Sequence, residues 1–423
     1  MRRASRRLVL PSLLIAALAA PVAVRAAAPA APASLCAEPK AAFAAIAPAK
    51  ANLDPAGVQA ALDFATSRRA LAVRVYRYGC LVGQDRFAQL NAEVPFESFS
   101  MAKSVTSMLA GRAVTLGKLG LDDPIGRYIP EADSAHAAIT VRQLLTMSTG
   151  LHWNFFRDYN LFPVDRVGDA LALPFDRRPG TWFEYHQSPV TLLAKVVERA
   201  VGSKDLEQWA QAELFGRIGV TDDAWSWERD AKGNVAGYYG IRTVPDTWAR
   251  LGELLRRNGR WGATQLIAPG YLAAAQASSP ANPAYGFLFW LNGSETVIAP
   301  TVYSRAVYHH RLIPSAPRDL YMMNGLLQQR VYVIPSLQLV VVRTGVNANN
   351  EPDTRASVFT AETGEFEHEF FRILMRAVKD QSVPDPGPYR HTGVVADVDP
   401  HYGILHSAQQ PEDFQAALEG SAG

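Results

Sequence analysis

The chain has 423 residues, 48% hydrophobic and 10% aromatic, which suffices for one large core or two lobes and is too apolar for a disordered protein. Lys and Arg total 42 against 40 Asp and Glu, a formal net charge of +2, so there is no field to gather nucleic acid or an anionic membrane. The nine histidines are scattered, adjacent His309 and His310 would point apart in a strand, and no His, Asp and Glu cluster has ligand spacing; neither a metal nor a cofactor is expected.

At the N-terminus Arg2, Arg3, Arg6 and Arg7 precede an apolar run from Leu8 to Val24, short for a membrane span and followed by the small residues Ala26, Ala27 and Ala28. The pattern predicts an export signal over residues 1–26 and a periplasmic or secreted protein with no stable span after cleavage. An uncleaved anchor helix is the alternative, and Ser5–Leu10 partly resembles a twin-arginine signal. Leu35 directly before Cys36 does not suit lipidation. Residues 27–35 are almost all Ala and Pro, a linker composition within an N-terminal segment over 27–55. Cys36 and Cys80 would bridge in an oxidising compartment, tying this segment to the first hairpin; two unrelated thiols are the other reading.

Runs on either side of Gly79, between Leu71 and Phe87, predict an antiparallel hairpin. A helix is predicted to start at Ser100 and run through Val105, Met108, Leu109 and Ala113 at helical spacing. From about residue 115 to 300 the pattern is mostly helical with Pro and Gly punctuation. Strand character returns at Val331–Ile334 and Leu337–Arg343, joined across Pro335 and Ser336, and Ala361–Val378 reads as a closing helix. The fold class is therefore α+β: an antiparallel sheet flanked by helices, with an inserted helical lobe, over residues 56–380. The tail, residues 381–423, is rich in Pro, Gly, Asp and His from Ser382 onward and is expected to be irregular or loosely docked.

Ser100 and Lys103 lie three apart, on one face of that helix, so the hydroxyl and the amine can share a pocket. A serine is a poor nucleophile at its free pKa, and a lysine desolvated in a closed pocket can take its proton. This is the S-x-x-K arrangement of serine acyl-transfer enzymes.

From about Leu62 to Val378 the chain resembles the penicillin-recognising serine hydrolases: serine β-lactamases, D-alanyl-D-alanine peptidases and related esterases and amidases, most of all the 6-aminohexanoate dimer hydrolase type. The resemblance rests on Ser98–Ser104, Leu144–Leu151, Pro179–Tyr185, Asp246–Arg250 and Leu339–Gly345, in family order. It implies a β-lactamase/transpeptidase-like fold. It also implies that Tyr185 relays the Ser100 proton with Lys103, its phenol easier to ionise beside a lysine cation. Gln187 stands where the family has Asn or Ser, and keeps an amide for the substrate. Gly325-Leu326-Leu327-Gln328-Gln329 stands where penicillin-binding relatives place a Lys-Thr-Gly or His-Thr-Gly strand and the amidase-like branch a Gly and, further on, a Gln. By this resemblance Gly325, Gln329 and Gln187 contact substrate, and the backbone N–H groups of Ser100 and Leu326 form the oxyanion hole. Arg330 or Arg343 could restore the missing cation. His391-Thr392-Gly393 follows the closing helix and a breaker run, so it is read as a decoy. No G-x-S-x-G elbow or phosphate-binding Gly loop occurs. Trp153, Phe155 and Phe156 line an acyl or leaving-group site or belong to the core.

The expectation is an exported serine hydrolase that cleaves a small-molecule amide or ester through a Ser100 acyl-enzyme. Rivals are a β-lactamase or peptidoglycan peptidase, and a non-catalytic binding protein on the same fold.

Overall fold

Val331–Ile334 and Leu339–Val342 are apolar at every position, the pattern of strands covered on both faces rather than one. In the computed structural model, which describes residues 34–153, 158, 160, 162–300, 305–346, 348, 364–390 and 395–397, they are the centre of a six-stranded antiparallel sheet. Its strands are β1 (Ala70–Arg77), β2 (Cys80–Gln84), β3 (Trp290–Leu291), β4 (Tyr321–Gly325), β5 (Gln329–Ile334) and β6 (Leu339–Gly345), in the spatial order β2-β1-β6-β5-β4-β3. The first hairpin turns at Gly79, whose φ of 81° suits glycine alone among common residues. The N- and C-terminal hairpins join through β1 and β6, with Val75 opposite Val341.

Five helices frame the site, α1 (Pro55–Ser67), α2 (Met101–Thr115), α3 (Ser188–Ala200), α4 (Pro245–Arg256) and α5 (Glu365–Arg376); α3 packs on α2 and the others lie against the sheet. Successive strand residues point to opposite faces. On β5, Val331 meets Gly252 of α4, where a Cβ would come within 2.9 Å of it, while the next ring, Tyr332, packs edge-on against Phe371 of α5 at 4.9 Å. Helices on both faces explain the continuous apolar runs. α1 lies on α5, with Phe64 stacked on Phe366 at 5.9 Å.

The inserted region is mostly helical as expected, but short strands interrupt it, among them Trp225–Trp227 and Ile241–Thr243, which join a strand just before Ser100. Phe96–Glu97, Ile241–Thr243 and Trp225–Trp227 form a small sheet in that order, too short for periodicity to reveal. Its value is positional, because it holds the chain just before Ser100.

The N-terminal segment is not a passive linker from Ser34 onward. Leu35 N–H donates to Tyr78 O at 2.9 Å, Arg250 of α4 donates to the carbonyls of Pro39 and Ala41, and Arg256 donates to Ser34 Oγ. Groups distant in sequence supply those bonds, so composition alone could not show them. Cys36 and Cys80 are bridged, with Cα atoms 5.3 Å apart. In the tail, Ser382–Arg390 has neither helix nor strand, whereas Val395–Asp397 adds an antiparallel strand to the edge at Arg305–Val307, so this part is not irregular. The export signal and His391-Thr392-Gly393 lie outside the described residues, and no described helix is long and apolar enough to cross a membrane.

A thiol titration of the denatured, unreduced protein is expected to find no free cysteine, and two after reduction. Reduction should lower stability by roughly 2–4 kcal/mol. Two reactive thiols before reduction would contradict the bridge.

Candidate active site

The entry to α2 is strained and pinned. Ser98 N–H donates to Ile241 O at 2.8 Å, Glu97 accepts from the N–H groups of Phe99 and Gly240, and Phe99 takes a left-handed φ of 46°, uncommon for a non-glycine residue. This turn delivers Ser100 to the mouth of α2 in a helical conformation, with no side-chain capping bond. A helix-start serine ordinarily caps. Here its Oγ instead stands 2.9 Å from Lys103 Nζ, one turn on.

Every residue of α2 from Met101 to Ala113 is buried, Lys103 included at 1% exposure. Its amine has Ser100 Oγ and, at 3.4 Å, the carbonyl of Tyr238, and it lies over the rings of Tyr185 (4.7 Å to the centroid) and Tyr238 (5.4 Å). Burial disfavours the ammonium and pulls its pKa down to about 7, against a smaller opposing pull from Asp158. At neutral pH much of Lys103 is therefore the free amine.

Tyr185 is half-buried, with Trp290 and Tyr285 beside its ring and its hydroxyl near Ser100. Desolvation drives its pKa upward, outweighing the Ser100 hydroxyl and the charge of Arg330, which both lower it. The sequence reading expected a nearby cation to ease its ionisation. The balance goes the other way, because the lysine itself loses charge and burial penalises a phenolate more. Tyr185 is thus a neutral donor, and the base of suitable strength is Lys103.

Gln187 is buried; its N–H donates to Asp158, and its side-chain Oε1 has no hydrogen-bond partner among the described residues. Sequence reasoning missed Asp158 as a site residue. Its carboxylate, with a side chain 0% exposed, accepts from Gln187 N–H, from Trp153 Nε1 at 3.2 Å and from His186 Nε2 at 3.0 Å. It ties Trp153 to the Tyr185–Gln187 turn. Trp153 is accordingly buried, whereas Phe155 and Phe156 lie outside the described residues. Tyr238 was missed as well, although Gly237 and Gly240 on either side, with φ of 73° and 85°, mark a turn where backbone approaches closely.

Across the cleft, Gly325 ends β4 where a Cβ would meet Ser98 O at 2.3 Å, so only glycine lets this strand end lie against Ser98 and Met101. Leu326 and Leu327 follow, partly exposed, and no described hydrogen bond uses the N–H of Ser100 or Leu326. Gln329 was expected to face substrate. Instead both ends of its amide are taken by the backbone of Gly345, at 2.5 and 3.2 Å, because residue 329 already belongs to β5 and lies beside the end of β6. Arg330 and Arg343 are buried and donate to carbonyls of the same turn, so although the charge of Arg330 reaches Tyr185, neither guanidinium is free to pair with a substrate carboxylate. Among the described residues no three His, Cys, Asp or Glu side chains could hold a metal ion.

The antiparallel sheet with helices on both faces, and the Ser-x-x-Lys at the head of a buried helix, place the chain in the serine hydrolase/acyltransferase superfamily. It belongs to the beta-lactamase family, whose model matches residues 56–363. It is 28% identical over 130 residues to the putative penicillin-binding protein PbpX of Bacillus subtilis, covering 30% of this chain and 32% of that one. It is 29% identical over 200 residues to monacolin J acid methylbutanoyltransferase of Aspergillus terreus, covering 41% and 45%. These matches span about a third to a half of the curated relatives. A putative 6-aminohexanoate-dimer hydrolase from Bacillus anthracis shares the fold with a TM-score of 0.56 at 18% identity, over 69% of this chain and 77% of that one.

Two outcomes follow from the amine of Lys103. If its free form takes the Ser100 proton, kcat/KM rises with pH through about 7 and then levels; a profile flat from pH 5 to 9 would exclude this lysine as base. Between about 7 and the unfolded value near 10.4 the unfolded chain binds the extra proton, so this group makes stability rise with pH across that window. Lys103→Met should remove that rise and lift Tm at pH 7 by roughly 2–5 °C while abolishing turnover. Scanning calorimetry showing an unchanged or lower Tm would contradict it.

Proposed function

We propose that this protein is an exported serine hydrolase that opens a small, uncharged ester or amide through an acyl-enzyme on Ser100. The observation that carries the reading is the buried Lys103 amine, 2.9 Å from Ser100 Oγ and with a pKa near 7.

Ser100 Oγ attacks the substrate carbonyl as its proton passes to the Lys103 amine, and the carbonyl oxygen becomes an oxyanion between the N–H groups of Ser100 and Leu326. Collapse of that intermediate breaks the carbonyl–leaving-group bond. The leaving alkoxide or amine takes its proton from Lys103 through the Tyr185 hydroxyl, which stands near Ser100 and keeps its proton because it is desolvated. A water then repeats the cycle, giving the acid and restoring Ser100. The unpartnered Gln187 Oε1 suits an N–H or O–H of the substrate. Export is supported by the basic and apolar N-terminus together with the Cys36–Cys80 bridge, which is stable in oxidising compartments.

Substrate charge separates this reading from a β-lactamase or D-alanyl-D-alanine peptidase. Penicillins and such peptides present a carboxylate, and the turn at Gly325–Gln329 offers it neither Lys nor His, with Arg330 and Arg343 turned to backbone carbonyls. A charge-assisted hydrogen bond contributes about 1.5–3 kcal/mol, so its lack should lower kcat/KM for carboxylate substrates by roughly ten- to a hundredfold.

The test is a fluorophosphonate probe read by peptide mass spectrometry, with p-nitrophenyl butyrate and nitrocefin assayed in parallel. Labelling on Ser100, ester turnover far above nitrocefin turnover, and a loss of roughly 10⁴-fold or more in Ser100→Ala are expected. Efficient nitrocefin hydrolysis without esterase activity would move the protein to the β-lactamases, and no labelling at any pH would leave a binding protein.

A further inference from the structure

The two arginines that sequence reading considered for substrate charge are spent elsewhere, and their arrangement has a consequence for the oxyanion hole. Arg330 Nη1 donates to the carbonyls of Gly325 and Gln329, and Arg343 Nη1 donates to those of Gln328 at 2.8 Å and Leu327 at 3.4 Å. Four carbonyls of one short turn are thus gripped from the interior. Glu367 of α5, with a side chain 0% exposed, lies 3.5 Å from Arg330 Nη2 and accepts from Gln328 Nε2, whose own Oε1 accepts from Ala348 N–H. Leu327 and Gln328 both carry left-handed backbone, φ 59° and 61°, in consecutive non-glycine positions. Such strain persists only where the surroundings over-determine it, and it gathers at functional sites.

A trans peptide is planar, so the C=O of residue 325 and the N–H of residue 326 point in opposite directions. The Gly325 carbonyl is drawn inward to Arg330. The Leu326 N–H therefore points outward, on the side where Gly325 packs against Ser98 and Met101, the residues flanking Ser100. A buried ion network of this kind is not needed for stability, since well-packed apolar replacements are often neutral or better.

We infer that Arg330, held by Glu367, is a positioning residue that aims the Leu326 N–H at the oxyanion formed on Ser100. The inference rests on the proposed hydrolase reading, with Leu326 as the second oxyanion donor. Arg330 touches no substrate. It acts by fixing one peptide plane, so its removal weakens the transition state and leaves the ground-state complex alone. Because its charge also acts on Tyr185, affinity for a boronate, which needs no leaving-group protonation, is the arm that reads the peptide plane by itself.

The experiment uses the full mature enzyme with p-nitrophenyl butyrate as substrate and phenylboronic acid as a tetrahedral mimic on Ser100. Arg330→Met/Glu367→Gln removes both charges together, so no buried carboxylate is stranded, and Arg330→Lys is the conservative variant. In the double variant kcat should fall about ten- to a hundredfold with KM within about twofold, and the boronate Ki should rise by a like factor. Arg330→Lys should recover part of both. A variant that loses Tm but keeps kcat and boronate affinity would overturn the inference and leave the serine hydrolase reading intact. Wild-type enzyme that neither cleaves the ester nor takes boronate on Ser100 would overturn that reading and this one with it. Should the double variant not fold, a crystal structure of the wild-type boronate complex decides. A boronate oxygen on Leu326 N–H with the Gly325 carbonyl still on Arg330 is expected, and an N–H turned away or Arg330 released overturns the inference.

Discussion

Everything in this site depends on burying one lysine. Lys103 sits on a helix whose first thirteen residues are all inaccessible, and it keeps one hydroxyl, one carbonyl and two aromatic faces for company. That environment cannot hydrate an ammonium, yet it offers enough electron density to tolerate one briefly. The amine is therefore poised between its two forms near neutral pH. A surface lysine at the same spacing would stay charged and leave Ser100 an ordinary alcohol.

The fold keeps the lysine buried and the serine reachable at once by concentrating backbone strain around the cleft. Phe99 on one wall and Leu327 and Gln328 on the other are left-handed non-glycine residues; the Glu97 carboxylate two residues back holds Phe99, and Arg343 of β6 holds Leu327 and Gln328. Glu97 ties the approach to Ser100 to the Gly240 N–H. Asp158 ties the Tyr185–Gln187 turn to Trp153. The sheet supplies rigidity, with β5 and β6 sealed between α4 and α5, and the turns between its strands supply the chemistry.

Much of the fold was legible in the chain itself. Apolar runs of β-branched residues marked β5 and β6, and Gly79 marked the first hairpin, because those signals are local. The Ser100 and Lys103 pair was legible from spacing alone, and Tyr185 from its place in a familiar order of motifs. What stayed hidden was every role set by a distant partner. Gln329 reads as a substrate amide until Gly345 is seen to occupy both its ends. Arg330 and Arg343 read as free cations until the carbonyls of the turn appear beside them. Asp158 gave no local sign that it would be buried against His186, nor the segment from Ser34 that α4 would hold it. The short strand at Trp225–Trp227 was lost for a simpler reason, being too brief to show a period.

The central claim is that burial, not a neighbouring charge, makes Lys103 a base. Its most direct test is a nitrogen-detected NMR titration of Lys103 Nζ in the resting enzyme, assigned with Lys103→Arg. A midpoint near pH 7 is expected. A midpoint at the ordinary lysine value, near 10.4, would contradict the claim and require another group to take the Ser100 proton.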